Sequence, residues 1–262
     1  MAYQHIQGGL REGVLTVVFD RPDVLNSFNA RMADEVVAAL REARENAAVR
    51  AVLITGNGRA FCAGQDLSEV LPRDGVSPDL GDVVQRQYSP IVHAIRTLEK
   101  PVVCAVNGVA AGAGANLAFA CDITYAAEEA TFIQSFAKIG LIPDSGGTFI
   151  LPRLVGYQRA AALAMLGEKL DARTARQWGL VYDVVPPTVL GDTSFDFAKR
   201  LAAMPTRALG LIKRGFNAGL HNDLETQLAL EAELQREAGR TDDYAEGVRA
   251  FTEKRKPRFQ GR

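Results

Sequence analysis

Short apolar runs alternate with segments of three-and-four apolar spacing along most of this chain, and helical spacing takes over toward its end. Val14 to Phe19 is a β-rich run ended by Asp20-Arg21-Pro22, the pattern of a strand meeting a turn. Asn29 can cap a helix over Met32, Val36, Val37, Leu40 and Ala43 that ends near Asn46, because an asparagine oxygen accepts from the free N–H groups of a first turn. Ala51 to Thr55 predicts a second strand, closed by Gly56-Asn57-Gly58, and Val102 to Val106 a third, broken by Asn107-Gly108. Pro72 to Asp82, rich in Pro, Gly and Asp, reads as a mobile surface loop, and a helix is expected from about Val83 to Leu98. A further strand is expected over Asp122 to Ala126.

Two strand-to-helix passages share an unusual composition. Phe61-Cys62-Ala63-Gly64-Gln65-Asp66 follows the second strand, and Gly112-Ala113-Gly114 follows the third and opens an Ala-rich helix over Ala115 to Ala120. Such a loop leaves free backbone N–H groups at the helix start, where they hold an anion or an oxygen that becomes anionic during a reaction. Two of these loops can face one ligand oxygen; a purely structural loop is the competing reading. Asp66 and Glu69 have capping-box spacing. The uncharged stretch Pro101 to Cys121 has the length of a membrane span, but Asn107, Asn116 and its glycine-rich centre argue against one. A dinucleotide fingerprint fails at Leu117, where its third glycine belongs.

From Phe149 onward the pattern becomes helical, with Arg159 to Leu166, a turn from Thr174, and helices over Ser194 to Ala203, Leu209 to Ala218 and Leu224 to Ala238. A short strand, Val181 to Val185, ends at Pro186-Pro187. The stripe Leu224, Leu228, Leu230 and Leu234 suits helix packing, within the chain or between subunits. Net charge −1 gives no global field for nucleic acid or an anionic membrane. The basic stretch Lys254 to Arg258 is either a solvated tail or a phosphate contact. Three cysteines without a C-x-x-C pair, and no visible secretory signal, predict a reduced, cytoplasmic setting. His5, His93 and His221 have no ligand-spaced partners, so no metal site is expected. Ser145 follows Pro143 rather than the glycine of a nucleophile elbow, which disfavours serine hydrolysis.

Several of these stretches, in order, carry a resemblance. Arg21-Pro22…Leu25-Asn26-Ser27-Phe28, Phe61 to Leu67, Asn107 to Gly112, Gly140 to Gly147 and Trp178 to Val181 resemble the crotonase, or enoyl-CoA hydratase/isomerase, superfamily across nearly the whole chain. The resemblance implies an α/β fold, a spiral of ββα repeats over residues 1–195 with a helical oligomerisation region over 196–262. It implies homotrimers or dimers of trimers, and acyl-CoA thioester substrates with no cofactor, since the CoA is part of the substrate. By motif position, the amides of Gln65 and Ala113 would bind the thioester oxygen, and losing one such donor costs ~2.7–4 kcal/mol of transition-state stabilisation. Since these donors are main-chain groups, the side chains there are expected to vary freely.

The carboxylates divide the family's reactions. Where the resemblance places the two water-sharing glutamates of a hydratase, this chain has Asn116 and Phe136, and neither can act as a base. Asp144 stands near where the family's isomerases carry an acid. One carboxylate suffices to take a proton from one carbon of an allylic system and return it to another. Phe132, Phe136 and Phe149, if they line the pocket, would raise the Asp144 pKa by desolvation; the bland alternative is that Pro-Asp-Ser-Gly is turn chemistry. Asp66 is expected to cap the helix that follows it, and Asn116 to bond a ligand, a water or a loop backbone.

The likeness is closer to the family's ring-epoxide isomerases, carried also by Ala238-Gly239-Arg240…Asp243-Tyr244…Glu246-Gly247-Val248…Ala250-Phe251. It implies conversion of 1,2-epoxyphenylacetyl-CoA to the oxepin thioester, and a shift of 3-enoyl-CoA to 2-enoyl-CoA. It also implies CoA or acyl contacts at Val24, Ala63, Asp66, Leu67, Asn116 and Phe136. Phe251 and Lys254 are expected to reach the CoA of a neighbouring subunit. An enoyl-CoA hydratase with an unusual residue set, or a non-catalytic acyl-CoA-binding subunit, are the alternatives.

Overall fold

The computed structural model describes residues 3–72, 76 and 78–262. Its strands are β1 (Ile6–Arg11), β2 (Val14–Phe19), β3 (Ala51–Gly56), β4 (Ala60–Cys62) and β5 (Val102–Val106), followed by β6 (Val109–Ala111), β7 (Ile123–Ala127), β8 (Thr131–Ile133), β9 (Lys169–Asp171) and β10 (Asp183–Val185). They form a six-stranded sheet ordered β1-β2-β3-β5-β7-β10 and a four-stranded sheet ordered β4-β6-β8-β9. Each turn of the chain adds one strand to the large sheet and the next to the small one, β3 then β4, β5 then β6, β7 then β8. The result is the spiral of ββα units that the resemblance implies, parallel from β2 through β10 in one sheet and from β4 through β8 in the other.

Of the large sheet, β2, β3, β5, β7 and β10 fall on runs that the sequence marks, whereas β1, exposed at every residue but Ile6, and the strands of the small sheet do not. Every residue of β5 is buried, so the strand reads as an unbroken apolar run. β4, β6, β8 and β9 span three residues each, below the length at which periodicity carries a signal.

The helices that matter to the site are α1 (Ala30–Glu45), α2 (Leu80–Val83), α3 (Ser89–Thr97), α4 (Ala113–Ala120) and α5 (Gly147–Val155). Asn29 caps α1 as expected, accepting from the Met32 N–H at 2.9 Å. The helix expected over Val83 to Leu98 starts at Leu80, where Asp79 caps it, and passes through a π turn over Val84–Tyr88 before α3. Of the loop expected over Pro72 to Asp82, residues 73–75 and 77 lie outside the described residues.

The remaining helices are α6 (Tyr157–Leu166), α7 (Ala172–Gln177), α8 (Pro187–Ala202), α9 (Thr206–Gly219), α10 (Leu224–Ala238) and α11 (Asp242–Thr252). Residue 195 falls inside α8, which packs on β2, β3, β5 and β7. The helix begins at Pro187 because proline suits the first turn, where its missing N–H has no partner to lose. Among the described residues no helix is long and apolar enough to cross a membrane.

Candidate active site

The two glycine-bearing loops meet. In the first, Gly64 has φ +95°, and a Cβ there would lie 3.0 Å from the Ala111 carbonyl oxygen and 3.5 Å from the Ala113 nitrogen, so residue 64 must be glycine for the loops to touch. In the second, Gly114 packs so tightly on β4 that a Cβ would overlap the Cys62 carbonyl oxygen and come within 2.8 Å of its sulfur. The small residues Ala113, Gly114, Ala115, Ala118 and Ala120 are therefore a packing requirement, in a helix whose eight residues are all buried.

The segment Arg21 to Phe28 aims the first loop. Asn26, fully buried, accepts from the Arg21 N–H and donates to the Asn57 and Ala60 carbonyls. The Ala63 N–H donates to the Leu25 carbonyl at 3.0 Å, the Phe28 N–H to Gly64 at 2.7 Å, and the Asp66 N–H to Phe28 at 2.8 Å. In this parallel bridge, Gly64 C=O and Asp66 N–H face Phe28, which turns the Gln65 N–H to the opposite side. The Ala113 N–H is the first of α4 and has no intrahelical acceptor. Among the described residues neither amide has a hydrogen-bond partner.

Both loops line one cavity of about 380 Å³. Ala63, Gly64 and Gln65 form one side, Gly112 and Ala113 another, and Asp144 and Tyr88 also face it. The rest is mainly apolar: Leu67, Val70, Leu80, Val83, Val84, Phe136, Ile139 and Leu141. Asp144 is the only carboxylate on this wall among the described residues.

The turn before α5 sets Asp144 in place. Ser145 and Gly146 have φ of +51° and +77°, and this left-handed pair reverses the chain so that the Gly147 N–H donates to the Asp144 carbonyl at 2.8 Å. A non-glycine residue held there by its surroundings stores strain of the kind found at functional sites. Desolvation raises the Asp144 pKa above its ordinary value, opposed in part by the hydrogen bond from Ser145 Oγ at 2.8 Å.

Several expected contacts fall elsewhere. Asn116, 1% exposed, stands behind the wall: its Nδ2 donates to the Asp144 carbonyl and its Oδ1 accepts from Gln134, both at 2.8 Å. Of its expected partners, the loop backbone is the one it holds. Of the three phenylalanines expected around Asp144, only Phe136 lines the cavity. Phe132 packs on Phe119 in the core, and Phe149 stacks on His221 under Arg153. The rest of the apolar surface comes from Ile139 and Leu141, close to Asp144 in the chain, and from Leu67, Val70, Leu80, Val83 and Val84, far from it in sequence.

Asp66 faces away from the cavity. It pairs with Arg21 at 2.8 Å and caps the short 3-10 turn Leu67–Glu69 through the Ser68 N–H. The capping box does not form, since the Glu69 carboxylate reaches across to the Ala30 N–H at the start of α1. Val24 is exposed and lies outside the wall, one residue from the Leu25 carbonyl that receives Ala63. Phe251, 86% exposed, lies in the last turn of α11 and Lys254 just beyond it; neither lines this chain's cavity.

Tyr88 escaped sequence reasoning altogether. It is 1% exposed and donates to Gln65 Oε1 at 2.6 Å. Its three-and-four spacing to Ile91 and Ile95, all buried, was the available signal, and it marks only a core face.

Residues 9–262 match the family model described as enoyl-CoA hydratase/isomerase. The chain is 48% identical to a 1,2-epoxyphenylacetyl-CoA isomerase of Escherichia coli (strain K12), over 99% of each sequence. It is 46% identical to a Rhodobacter capsulatus protein named "Probable enoyl-CoA hydratase", over the full length of both. The crystal structure of an enoyl-CoA hydratase from Bacillus anthracis superposes with a TM-score of 0.92 at 33% identity, covering 99% of this chain and all of that one.

Proposed function

The chain belongs to the enoyl-CoA hydratase/isomerase family, and we propose that within it this protein is an acyl-CoA isomerase with Asp144 as its single acid/base. The observation that carries the reading is the wall itself: among the described residues it holds one carboxylate, raised in pKa by desolvation, together with Gln65 and Ala113, whose main-chain N–H groups have no partner there.

In this scheme the thioester oxygen accepts from the Gln65 and Ala113 N–H groups. The Asp144 carboxylate takes a proton from C2 of a 3-enoyl thioester, and the electron pair moves through the allylic system onto that oxygen. The protonated Asp144 then delivers the proton to C4, giving the 2-enoyl isomer with no atom gained or lost. For a 1,2-epoxyphenylacetyl thioester, the ring carbon–carbon bond bridged by the epoxide oxygen breaks, its electrons entering the ring π system, and the same relocation of one proton from the carbon beside the thioester to a ring carbon gives the oxepin thioester. A proton moves but no electron or group is transferred, so the scheme needs no cofactor beyond the CoA carried by the substrate. Hydration would need a second carboxylate to share a water, and Asn116 and Phe136 supply none.

The oligomer belongs to the same proposal: a trimer or a dimer of trimers. Ile142, Tyr157, Phe216 and Phe251 are each more than 70% exposed, large apolar side chains that a subunit interface would cover. Phe251 and Lys254 would then meet the CoA held by a neighbour. Sedimentation of the purified protein tests this, a monomer at micromolar concentration being the contrary result. The activity is tested by incubating the protein with a 3-enoyl-CoA and with epoxyphenylacetyl-CoA. The reading expects isomers from at least one, and fast loss of conjugation from a 2-enoyl-CoA by water addition contradicts it.

A further inference from the structure

In the scheme above, only the N–H of residue 65 meets the substrate, and its side chain has no role. The structure gives that side chain three partners. Gln65 Nε2 donates to the carbonyls of Phe28 at 3.3 Å and Asp66 at 3.2 Å. Gln65 Oε1 accepts from Tyr88 Oη at 2.6 Å.

These partners belong to the three pieces that set the direction of the Gln65 N–H. Phe28 is its bridge partner, already receiving the Asp66 N–H on the same carbonyl. Asp66 follows it in the loop. Tyr88 closes the π turn, whose i→i+5 hydrogen bonding widens the helix where Val83, Val84 and Tyr88 line the cavity wall. The Tyr88 ring lies 6.0 Å from the Phe28 ring and anchors the hydroxyl within the core. This part-buried hydrogen bond at the cavity wall fixes orientation, because leaving a partner unpaired in so apolar a setting carries a desolvation penalty.

We propose that Tyr88 and the Gln65 side chain form a positioning pair that holds the Gln65 N–H on the thioester oxygen. Neither hydroxyl nor carboxamide takes part in proton transfer; both act through the direction of a main-chain amide. The pair goes against the expectation that side chains at residue 65 vary, and its test bears on both. The inference rests on the oxyanion reading of the proposed function, so its test reads the oxyanion contact separately from turnover.

The probe is a donor-substituted cinnamoyl thioester of CoA, whose absorption moves to longer wavelength as its carbonyl is polarised. It is bound to the wild type, Tyr88→Phe, Gln65→Ala and the double variant, with kcat and KM measured alongside on the best isomerisation substrate. Tyr88→Phe keeps the buried ring, and thermal unfolding monitors the fold. We expect Tyr88→Phe to shrink the red shift and lower kcat about tenfold, since small misplacements of a reacting group carry losses of this order, with KM within about twofold. In the Gln65→Ala background the same change should do nothing further. A Tyr88→Phe variant with the wild-type shift and kcat overturns the pair. So does an equal loss in both backgrounds, which would mean that Tyr88 acts without Gln65. A wild type that shows no red shift refutes the oxyanion reading beneath it, and the pair falls with it.

Discussion

Asp144→Asn removes the proposed acid/base while keeping its shape. The amide oxygen can still accept from Ser145, and the Asp144 main-chain carbonyl keeps its bonds from Asn116 and Gly147. General acid–base catalysis contributes about 10²–10⁴-fold, or roughly 3 to 5 kcal/mol of barrier at 1.36 kcal/mol per decade. The upper end applies here, because no other carboxylate lines the cavity among the described residues; the nearest in sequence to the loops, Asp66, is held by Arg21 on the other side. The assay follows appearance of the conjugated thioester from a 3-enoyl-CoA, with titration of a saturated acyl-CoA to show that binding survives. In the wild type, kcat/KM should fall as pH drops through the raised Asp144 value, above the ordinary aspartate range, since only the ionised form takes a proton; the variant should lack this limb. Stability gives an independent check of the same burial. A carboxyl whose pKa is raised on folding favours the native state while protonated, and this advantage is lost as pH rises from the ordinary carboxylate range through the raised value. Asp144→Asn should therefore unfold at or above the wild-type temperature at neutral pH, with the gap closing on acidification. A variant that retains kcat within tenfold of the wild type refutes the assignment.

Three further outcomes follow from packing. Asn116→Ala leaves the buried Gln134 amide without its acceptor and the Asp144 carbonyl with the Gly147 N–H alone, which should lower stability by about 1–3 kcal/mol and lower kcat more than it raises KM; denaturant unfolding and steady-state kinetics check both. Gly114→Ala drives a methyl group into Cys62, so α4 must shift away from β4; the expected result is insoluble or strongly destabilised protein, and a well-folded, active variant contradicts the contact. Burial pushes the Cys62 thiol up to about 12, and Cys104 and Cys121 are also buried. Because the thiolate is the reactive form, mass spectrometry after alkylation of the native protein at pH 8 should find all three cysteines unmodified, with labelling only after denaturation.

What the sequence disclosed depended on how local each feature is. Asn29 capping α1, the runs of β3 and β5, and the two glycine loops are set by near neighbours, and each stands where its pattern places it. Asp144 was visible as an acid in a turn, but its environment was not: Leu80, Val83, Val84 and Tyr88 reach it only after the chain has turned through the spiral. The same distance hid the true partner of Glu69, which caps a helix beginning 39 residues earlier, and that of Asp66, an arginine 45 residues away. Helix α11 went unread because Asp243, buried and holding the Gln260 and Gly261 N–H groups, occupies a position that a hydrophobic pattern would fill with an apolar residue. The π turn leaves no compositional trace, and with it Tyr88 stayed out of view.

The central claim, one carboxylate set against two main-chain donors, is tested most directly by a crystal structure of the Asp144→Asn protein with a 3-enoyl-CoA bound. The thioester oxygen should lie about 3 Å from both the Gln65 and the Ala113 nitrogens, with the residue 144 side chain over the C2-to-C4 face of the acyl chain. A thioester oxygen bonded elsewhere, or a different carboxylate nearer those carbons, would contradict the account.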